Sequence, residues 1–206
     1  AYEIISGGGS STATELMDKQ EKEQLALCIV DSDVKFPGAD EGATFGAVKS
    51  AHDTTSKFVT LLGIAVHEIE NLLPPQFIAD YTKDDAKAFV QKLIVKDKED
   101  YLRWYDVKNG ISLSDIEEDG YNDYAKVMYE QLYSNKAGAY EKHVASCKKK
   151  NRKVFPKLKE GLVKKYLGLT DAKRVAYGIH FKAEWRDIAN NFYDYACSRE
   201  CDPINV

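Results

Sequence analysis

Three short apolar segments, separated by segments with helical character, occupy the first third of the chain. Residues 2–6 and 57–63 have the length and composition of strands, and residues 25–30 are apolar at every position. An uninterrupted apolar run is typical of a parallel strand that is buried on both faces of a sheet. Helices are predicted between the strands, at about 12–22 and 44–56, so the pattern indicates an α/β unit with a parallel sheet.

From about Phe77 the pattern changes to long charged segments in which apolar residues recur every three or four positions. This spacing places them on one face of a helix, and it predicts a mainly helical C-terminal part whose apolar residues form a core. The predicted division is an α/β domain at 1–76 and a helical extension at 77–206. The clearest apolar sets are Phe89, Leu93 and Ile94; Tyr121, Tyr124, Ala125, Met128 and Leu132; and Trp185, Ile188, Ala189, Phe192 and Tyr195.

Composition narrows the class of protein. The 206 residues are 44% hydrophobic and 30% charged, as in ordinary globular domains. No apolar run approaches the roughly 18 residues that span a membrane, and Ala1 leads into the first strand without a signal peptide. Cys197 and Cys201 lie four residues apart, but no further zinc ligands stand near them. The expectation is a reduced cytoplasmic protein without a membrane partner.

The net charge of −4 conceals a strongly basic segment at 142–174. This segment holds twelve lysines and arginines but only two acidic residues, whereas residues 1–141 hold fourteen basic and twenty-six acidic residues. A polyanion-binding surface requires such a basic block, although a solvated, lysine-rich helix pair has the same composition. The candidate nucleic-acid contacts are Lys148, Lys149, Lys150, Arg152, Lys153 and Lys157. The interleaved Tyr140, Phe155 and Tyr166 could stack on unpaired bases or lie in the core.

Two aspartates, Asp31 and Asp33, directly follow the apolar strand at 25–30. In an open α/β sheet, ligands bind at the carboxyl ends of the strands, and an Asp-x-Asp turn there directs two carboxylates towards one point. Mg²⁺ prefers hard oxygen ligands and takes one or two carboxylates together with water and phosphate oxygens. An ordinary polar turn is the alternative, because aspartate and serine also favour turns.

Glu68 and Glu70 follow the next strand by a few residues, so they are expected beside the aspartate pair. With Asp31 and Asp33 they could complete a two-metal site for Mg²⁺ or Mn²⁺, an arrangement that contacts both the attacking and the leaving oxygen of a phosphodiester. Otherwise Glu70 caps a backbone amide and Glu68 is solvated. The adjacent His67 could bind phosphate or transfer a proton, or it could be structural.

Three motifs within residues 4–74 carry a resemblance to a known family. They are the Gly7-Gly8-Gly9-Ser10 turn, the segment Cys28–Asp33 and the segment His67–Pro74. Together they resemble the TOPRIM domain (the topoisomerase–primase fold), most of all its versions in OLD-type and related anti-phage defence nucleases. The last segment is similar to an Arg-Glu-Ile-Glu-Asn-Tyr-Leu signature, with departures at His67 and Leu72. The resemblance implies a TOPRIM-like parallel sheet in which the aspartate pair holds catalytic metal.

One part of the TOPRIM pattern is absent. The resemblance implies a strand ending in a catalytic glutamate before the glycine turn, and Glu3 lies within the wrong strand. Either the chain has lost this N-terminal strand and helix, or a preceding segment supplies them, and the absence of an initiator methionine agrees with this expectation. The resemblance further implies an upstream or separate ATPase or retron-type reverse transcriptase as partner, in an oligomeric assembly.

Two lysines are candidates for stabilising phosphate charge, because some OLD-type nucleases use a lysine from the C-terminal part of the domain. Lys108 lies in a strand- and turn-like segment at 104–110, and Lys182 lies at a predicted helix start. An ammonium group close to a dianionic transition state lowers the barrier. Either lysine could equally be an ordinary surface residue.

The sequence leaves three functions open. The first is a Mg²⁺-dependent nuclease, the toxic effector of a bacterial anti-phage system, that cleaves DNA or RNA, tRNA included. The second is a catalytically inactive TOPRIM-like module that docks on a partner ATPase or reverse transcriptase. The third is a phosphatase of the haloacid-dehalogenase kind with Asp31 as nucleophile, which the following segment 34–37 disfavours.

Overall fold

The structure is a computed structural model. The chain folds into two compact units. The first contains the chain up to Asp33, Asp40–Val66 and the segment that begins at Phe181; the second contains Val34–Ala39 and His67–His180. The residues described are 3–6 (backbone only), 11–24, 26–55, 58–118, 120–159 and 161–190. The Gly7–Ser10 turn, Cys197 and Cys201 lie outside these ranges.

The first unit is a small parallel sheet with helices. Its strands are β1 (Glu3–Ser6), β2 (Ala26–Val30) and β3 (Val59–Gly63), which pair in parallel with β2 in the middle. The helices α1 (Thr12–Glu21) and α2 (Ala43–Ala51) lie between successive strands in the chain. This order confirms the α/β unit with a parallel sheet that the apolar pattern predicts.

The core of the first unit explains why β2 is apolar at every position. Its buried side chains come from the helices as well as from the strands, and Leu27, which alternates with Ala26 and Cys28 along β2, is buried too, so both faces of β2 carry buried side chains. The buried set is Leu16, Ala26, Cys28, Val30, Phe45, Val48 and Val59. Residues 182–190, in the segment that begins at Phe181, are helical as predicted from their spacing, and Phe192 and Tyr195 of the same apolar set lie outside the described residues.

The second unit is helical. Its helices are α3 (Pro75–Tyr81), α4 (Asp84–Val95), α5 (Tyr121–Leu132), α6 (Ala139–Lys150), α7 (Leu162–Leu167) and α8 (Asp171–Tyr177). Short 3₁₀ turns at Ile69–Leu72, Glu99–Trp104 and Asp115–Glu117 connect this unit's segments. Most residues of the apolar sets predicted on α4 and α5 are buried in one core, namely Phe89, Leu93, Tyr121, Ala125, Met128 and Leu132, while Ile94 and Tyr124 are half-buried and pack against it. None of the helices in the described residues is long and apolar enough to cross a membrane.

The division between the units differs from the predicted boundary at residue 76. Residues 67–76 belong to the second unit, as does the short segment Val34–Ala39. The Phe36 ring stacks on Tyr121 with a centroid distance of 5.8 Å, and Lys35 pairs with Glu118 at 2.7 Å. These contacts between residues far apart in the chain leave no periodic signal in the sequence.

Candidate metal centre

The turn that follows β2 is held by backbone and hydroxyl hydrogen bonds within the first unit. The Ser32 hydroxyl donates to the Val66 carbonyl at 2.6 Å, and the Gly42 amide donates to the Ser32 carbonyl at 2.8 Å. Ser32 is buried, whereas Asp31 and Asp33 on either side of it are half-buried. The two aspartates therefore follow the central strand in a fixed turn, as the sequence predicts.

A close backbone approach shapes the same turn. Asp33 adopts a φ of +52°, in the left-handed region that non-glycine residues seldom occupy. A Cβ atom on Gly42 would lie 2.3 Å from the Cβ of Asp33, so only glycine fits at position 42. The left-handed conformation of Asp33 and the hydrogen bonds of Ser32 fix the course of the backbone through this turn.

In the second unit, three side chains bring possible metal-ligand atoms close to one another. His67, Glu68 and Asp106 each offer a ligand atom, and these atoms lie within 4.8 Å of one another. Two ligands on opposite sides of a magnesium-sized ion are about 4.2 Å apart, so a small adjustment would bring all three onto one ion. His67 and Glu68 are buried, and Asp106 is half-buried. Among the described residues, this group is the candidate metal centre.

Backbone contacts orient the imidazole of His67. Its amide donates to the Arg103 carbonyl at 2.9 Å, and its Nδ1 lies 3.1 Å from the Val34 carbonyl. A carbonyl only accepts hydrogen bonds, so Nδ1 is the donor, and Nε2 is the ring nitrogen left for a metal ion. A hydrogen bond of this kind on one ring nitrogen is how proteins prepare the other as a metal ligand.

The carboxylate of Glu68 is buried and next to a cation. Lys108 Nζ lies 2.7 Å from Glu68 Oε2, and the Lys108 amide lies 3.4 Å from Oε1. Burial raises the pKa of Glu68 to about 7, the neighbouring Lys108 opposes the rise, and Asp106 and Glu70 add to it. Proximity of like charges is costly at low dielectric, and an added cation would relieve it.

Glu70 places a second buried carboxylate beside the same ammonium. Its side chain is 8% exposed, and Lys108 Nζ lies 3.4 Å from Oε2. That oxygen accepts no hydrogen bond from the described residues. A buried carboxylate oxygen has capacity for further acceptor contacts, so Glu70 can accept a hydrogen bond from a water or a ligand at this site.

Asp106 is the member of the centre that the sequence did not single out. Its Oδ1 accepts from the Asn109 amide at 2.5 Å, and its Oδ2 from Asn109 Nδ2 at 3.1 Å. The Gly110 amide donates to the Asp106 carbonyl at 2.7 Å, which closes a tight turn. Asp106 lies in the segment 104–110, in which the sequence predicts only Lys108 as a site residue. The sequence signal here is an aspartate shortly before an Asn-Gly pair. This pattern is more typical of a turn than of a metal ligand.

Asn71 connects by hydrogen bonds the two segments that carry the side chains of the centre. Its side chain is fully buried; Oδ1 accepts from the Glu68 amide at 2.7 Å, and Nδ2 donates to the carbonyls of Leu102 and Tyr105. The turn that carries Glu68 and Glu70 is thereby attached to the segment that leads into Asp106 and Lys108. The centre depends on a residue that is not itself a ligand.

The predicted site residues fall in different units. Glu68, Glu70 and Lys108 come together in the second unit, and His67 joins them. Asp31, Asp33 and Lys182 belong to the first unit, and Lys182 is exposed. The group of His67, Glu68 and Asp106 does not include either residue of the predicted aspartate pair. Asp31 and Asp33 as metal ligands stay a prediction.

The predicted nucleic-acid contacts are all exposed. Lys148, Lys149 and Lys150 form the last turn of α6, while Arg152, Lys153 and Lys157 follow it. The aromatic residues interleaved with them are packed in the second unit: Tyr140 and Phe155 are buried, and Tyr166 packs edge-on against Phe77. Tyr140 and Phe155 thus lie in the core, which was the alternative for these aromatics, whereas Tyr166 is half-buried and its stacking on a base stays a prediction.

The protein is expected to lose stability as the pH rises when no metal is added. The pKa of Glu68 is about 7 in the folded chain against an ordinary 4.5. A raised pKa in the folded state contributes stability below pH 4.5 that is lost as the pH rises through 7. Glu68→Gln should remove about 3 kcal/mol of this pH dependence.

Urea denaturation in a chelator at pH 5 and pH 8 measures this effect. From pH 5 to pH 8, the unfolding free energy of the wild type should fall relative to that of Glu68→Gln. Glu117→Gln, which alters an exposed glutamate of the same unit, should follow the wild type. Parallel pH profiles for wild type and Glu68→Gln would contradict the burial of an ionisable Glu68.

Comparisons of the chain with protein-family models, with curated proteins and with solved structures found no match. The case for a function therefore depends on the geometry of His67, Glu68 and Asp106, together with Glu70 and Lys108 beside them. The fold alone would not supply it, because one fold supports many chemistries.

Proposed function

We propose that this chain is a metal-dependent hydrolase that cleaves phosphodiester bonds of nucleic acid. The observation that carries the proposal is the group of His67, Glu68 and Asp106 with their ligand atoms within 4.8 Å of one another. Lys108 adds a cation 2.7 Å from Glu68, next to the buried carboxylate of Glu70. Several acidic groups and one lysine at a single place are the parts that phosphoryl chemistry uses.

Each residue has a role that follows from its contacts. His67, Glu68 and Asp106 would hold the cation, which would supply positive charge to stabilise negative charge on a phosphodiester oxygen. Lys108 is 43% exposed, so its ammonium can turn from the glutamates towards a phosphate as positive charge is added beside them. Glu70 accepts a hydrogen bond from a water and positions it near the phosphorus.

The donor set indicates which cation fits. Two carboxylates suit Mg²⁺ and Mn²⁺ equally, but an imidazole nitrogen is a poorer ligand for Mg²⁺ than for Mn²⁺. We therefore expect Mn²⁺ to bind more tightly than Mg²⁺ at His67, Glu68 and Asp106. The sequence predicts Mg²⁺ or Mn²⁺, and the imidazole of His67 favours Mn²⁺.

The TOPRIM-like interpretation concerns the first unit. Asp31 and Asp33 follow β2, the central strand of a parallel sheet, which is where an open α/β sheet binds its ligands. Under this interpretation they hold catalytic metal, and the chain is the nuclease effector of an anti-phage system with an ATPase or reverse transcriptase as partner. The small parallel sheet supports the interpretation without distinguishing it from other α/β folds.

A cleavage assay tests the proposal. Purified protein is expected to degrade labelled DNA or RNA with Mn²⁺, less rapidly with Mg²⁺, and not in chelator. Asp31→Asn with Asp33→Asn should abolish cleavage if the TOPRIM-like interpretation is correct. Unchanged cleavage in that variant removes the interpretation and leaves the centre at Glu68 and Asp106. Degradation that persists in chelator removes the metal-dependent mechanism itself.

A second candidate function is a catalytically inactive module that binds a partner ATPase or reverse transcriptase. The ion pairs of Lys108 with Glu68 and Glu70 favour it, because they already compensate part of the buried negative charge. Under this alternative the acidic group stabilises the fold, and adding Mn²⁺ leaves the melting temperature unchanged. A rise in melting temperature with Mn²⁺ favours the metal site instead.

A further inference from the structure

A groove on the second unit lies beside the basic segment. It has a volume of about 670 Å³ and is lined by residues from α4 and the residue before it, the end of α5, His143 of α6, residues 152–154, Pro156 and Lys157. This volume is in the range of sites that hold small organic ligands, and one or two nucleotides fill such a space. We call it the α4–α6 groove.

The charge of the α4–α6 groove favours an anion. Its lining contains five cationic side chains, Lys83, Lys92, Arg152, Lys153 and Lys157, against two acidic ones, Asp84 and Asp85. Arg152 and Lys153 are exposed and form no ion pair with any described residue. Cations without an acidic partner among the described residues are available to bind phosphate.

One wall of the groove is an ordered aromatic row. Tyr129 stacks on Tyr133 with a centroid distance of 5.2 Å and on His143 at 4.8 Å. His143 Nε2 lies 2.8 Å from the Val154 carbonyl, which fixes the imidazole at the end of the row. Tyr133 is 42% exposed, and Lys92 Nζ lies 4.1 Å from the centre of its ring. The row thus presents one accessible aromatic ring next to the cations.

We propose that the α4–α6 groove binds an unpaired stretch of nucleic acid. A base stacks on Tyr133 in place of the Lys92 ammonium, and Arg152, Lys153 and Lys157 bind the phosphates on either side of it. Bases of a duplex are stacked on one another and cannot offer a face to a ring inside a groove, whereas single strands can. The inference rests on the proposed function and assigns it a substrate class, single-stranded nucleic acid.

The proposal separates the six predicted nucleic-acid contacts into two sets. Arg152, Lys153 and Lys157 line the α4–α6 groove, whereas Lys148, Lys149 and Lys150 do not. Contacts from the second set would be made to phosphates alone, which position a strand without distinguishing paired from unpaired bases. Preference for single strands therefore belongs to the groove and to Tyr133.

Fluorescence anisotropy in chelator tests the proposal without cleavage. The probes are a labelled single strand of about twelve nucleotides, as DNA and as RNA, and the duplex of the same sequence. Wild-type protein should bind a single strand about tenfold more tightly than the duplex. Tyr133→Ala should weaken single-strand binding about tenfold, and Tyr133→Phe, which retains the ring, should not.

Two further variants distinguish a loss of binding from a loss of folding. Arg152→Glu with Lys153→Glu reverses exposed charges and should weaken single-strand binding by more than about tenfold and lower its salt dependence. Lys136→Ala removes an exposed lysine outside the groove and should bind as the wild type does. Equal affinity for single strands and duplex, or unchanged binding by the charge-reversed protein, overturns the proposal.

The binding assay tests the α4–α6 groove and the cleavage assay tests the hydrolase, so either claim can fail without the other. Glu68→Gln with Asp106→Asn should keep single-strand binding, because neither residue lines the α4–α6 groove. Binding without cleavage in the wild type leaves the inference standing and removes the hydrolase. Metal-dependent cleavage that the groove variants do not slow at low substrate concentration removes the inference and leaves the hydrolase.

Discussion

Cleavage of nucleic acid in Mn²⁺ should fall about 1000-fold when Glu68→Gln is combined with Asp106→Asn. A neutral amide oxygen is a much weaker ligand than a carboxylate, and two of three ligands are changed at once. Loss of the cation removes several kcal/mol of charge stabilisation from the transition state, and about 4 kcal/mol corresponds to a 1000-fold change in rate. Initial rates with a labelled substrate at saturating Mn²⁺ measure the effect.

The amide substitutions are chosen to preserve the local structure. In Glu68→Gln the amide oxygen can still accept from the Lys108 backbone amide, and in Asp106→Asn the amide oxygen can still accept from Asn109. Glu117→Gln with Asp123→Asn makes the same change of charge at exposed positions of the second unit and should cleave at the wild-type rate. Cleavage within a few-fold of wild type by the Glu68 and Asp106 double variant contradicts their assignment as ligands.

Asn71→Ala should lower the unfolding free energy by about 4 kcal/mol. The substitution removes three side-chain hydrogen bonds in a fully buried position, to the Glu68 amide and the Leu102 and Tyr105 carbonyls. Each buried partner that is left without a hydrogen bond costs about 1–3 kcal/mol, and neighbouring losses are not fully additive. Urea denaturation monitored by circular dichroism gives the value.

Two comparison variants identify the cause of the loss. Asn71→Asp keeps the volume and the acceptor but replaces the donor, so it should be as destabilising as Asn71→Ala. Asn135→Ala changes an exposed asparagine of the same unit and should stay within about 0.5 kcal/mol of wild type. A stable Asn71→Asp variant would show that the two carbonyl contacts contribute little.

The fold could be predicted where the signal is local. The apolar run of β2 identifies a buried parallel strand, and the three-and-four spacing on α4 and α5 identifies the faces that form the core. The assignment of Val34–Ala39 and 67–76 to the second unit could not be predicted. It depends on contacts such as Phe36 with Tyr121, whose residues lie far apart in the chain.

The same distinction holds for the candidate site. Glu68 and Glu70 stand in one short motif, and Lys108 is a candidate only because the TOPRIM resemblance implies a lysine that stabilises phosphate charge. Asp106 reaches the same place only because Asn71 attaches the Glu68 turn to the segment at Leu102 and Tyr105. The residues around Asn71 give no local signal that its side chain hydrogen-bonds to carbonyls some thirty residues away.

Calorimetric titration of Mn²⁺ into the protein, without nucleic acid, tests the metal centre most directly. The wild type should bind Mn²⁺ more tightly than Mg²⁺, and Glu68→Gln with Asp106→Asn should weaken Mn²⁺ binding by at least about 100-fold. A wild-type protein that binds neither cation, or a double variant with the wild-type isotherm, would contradict a metal site at His67, Glu68 and Asp106.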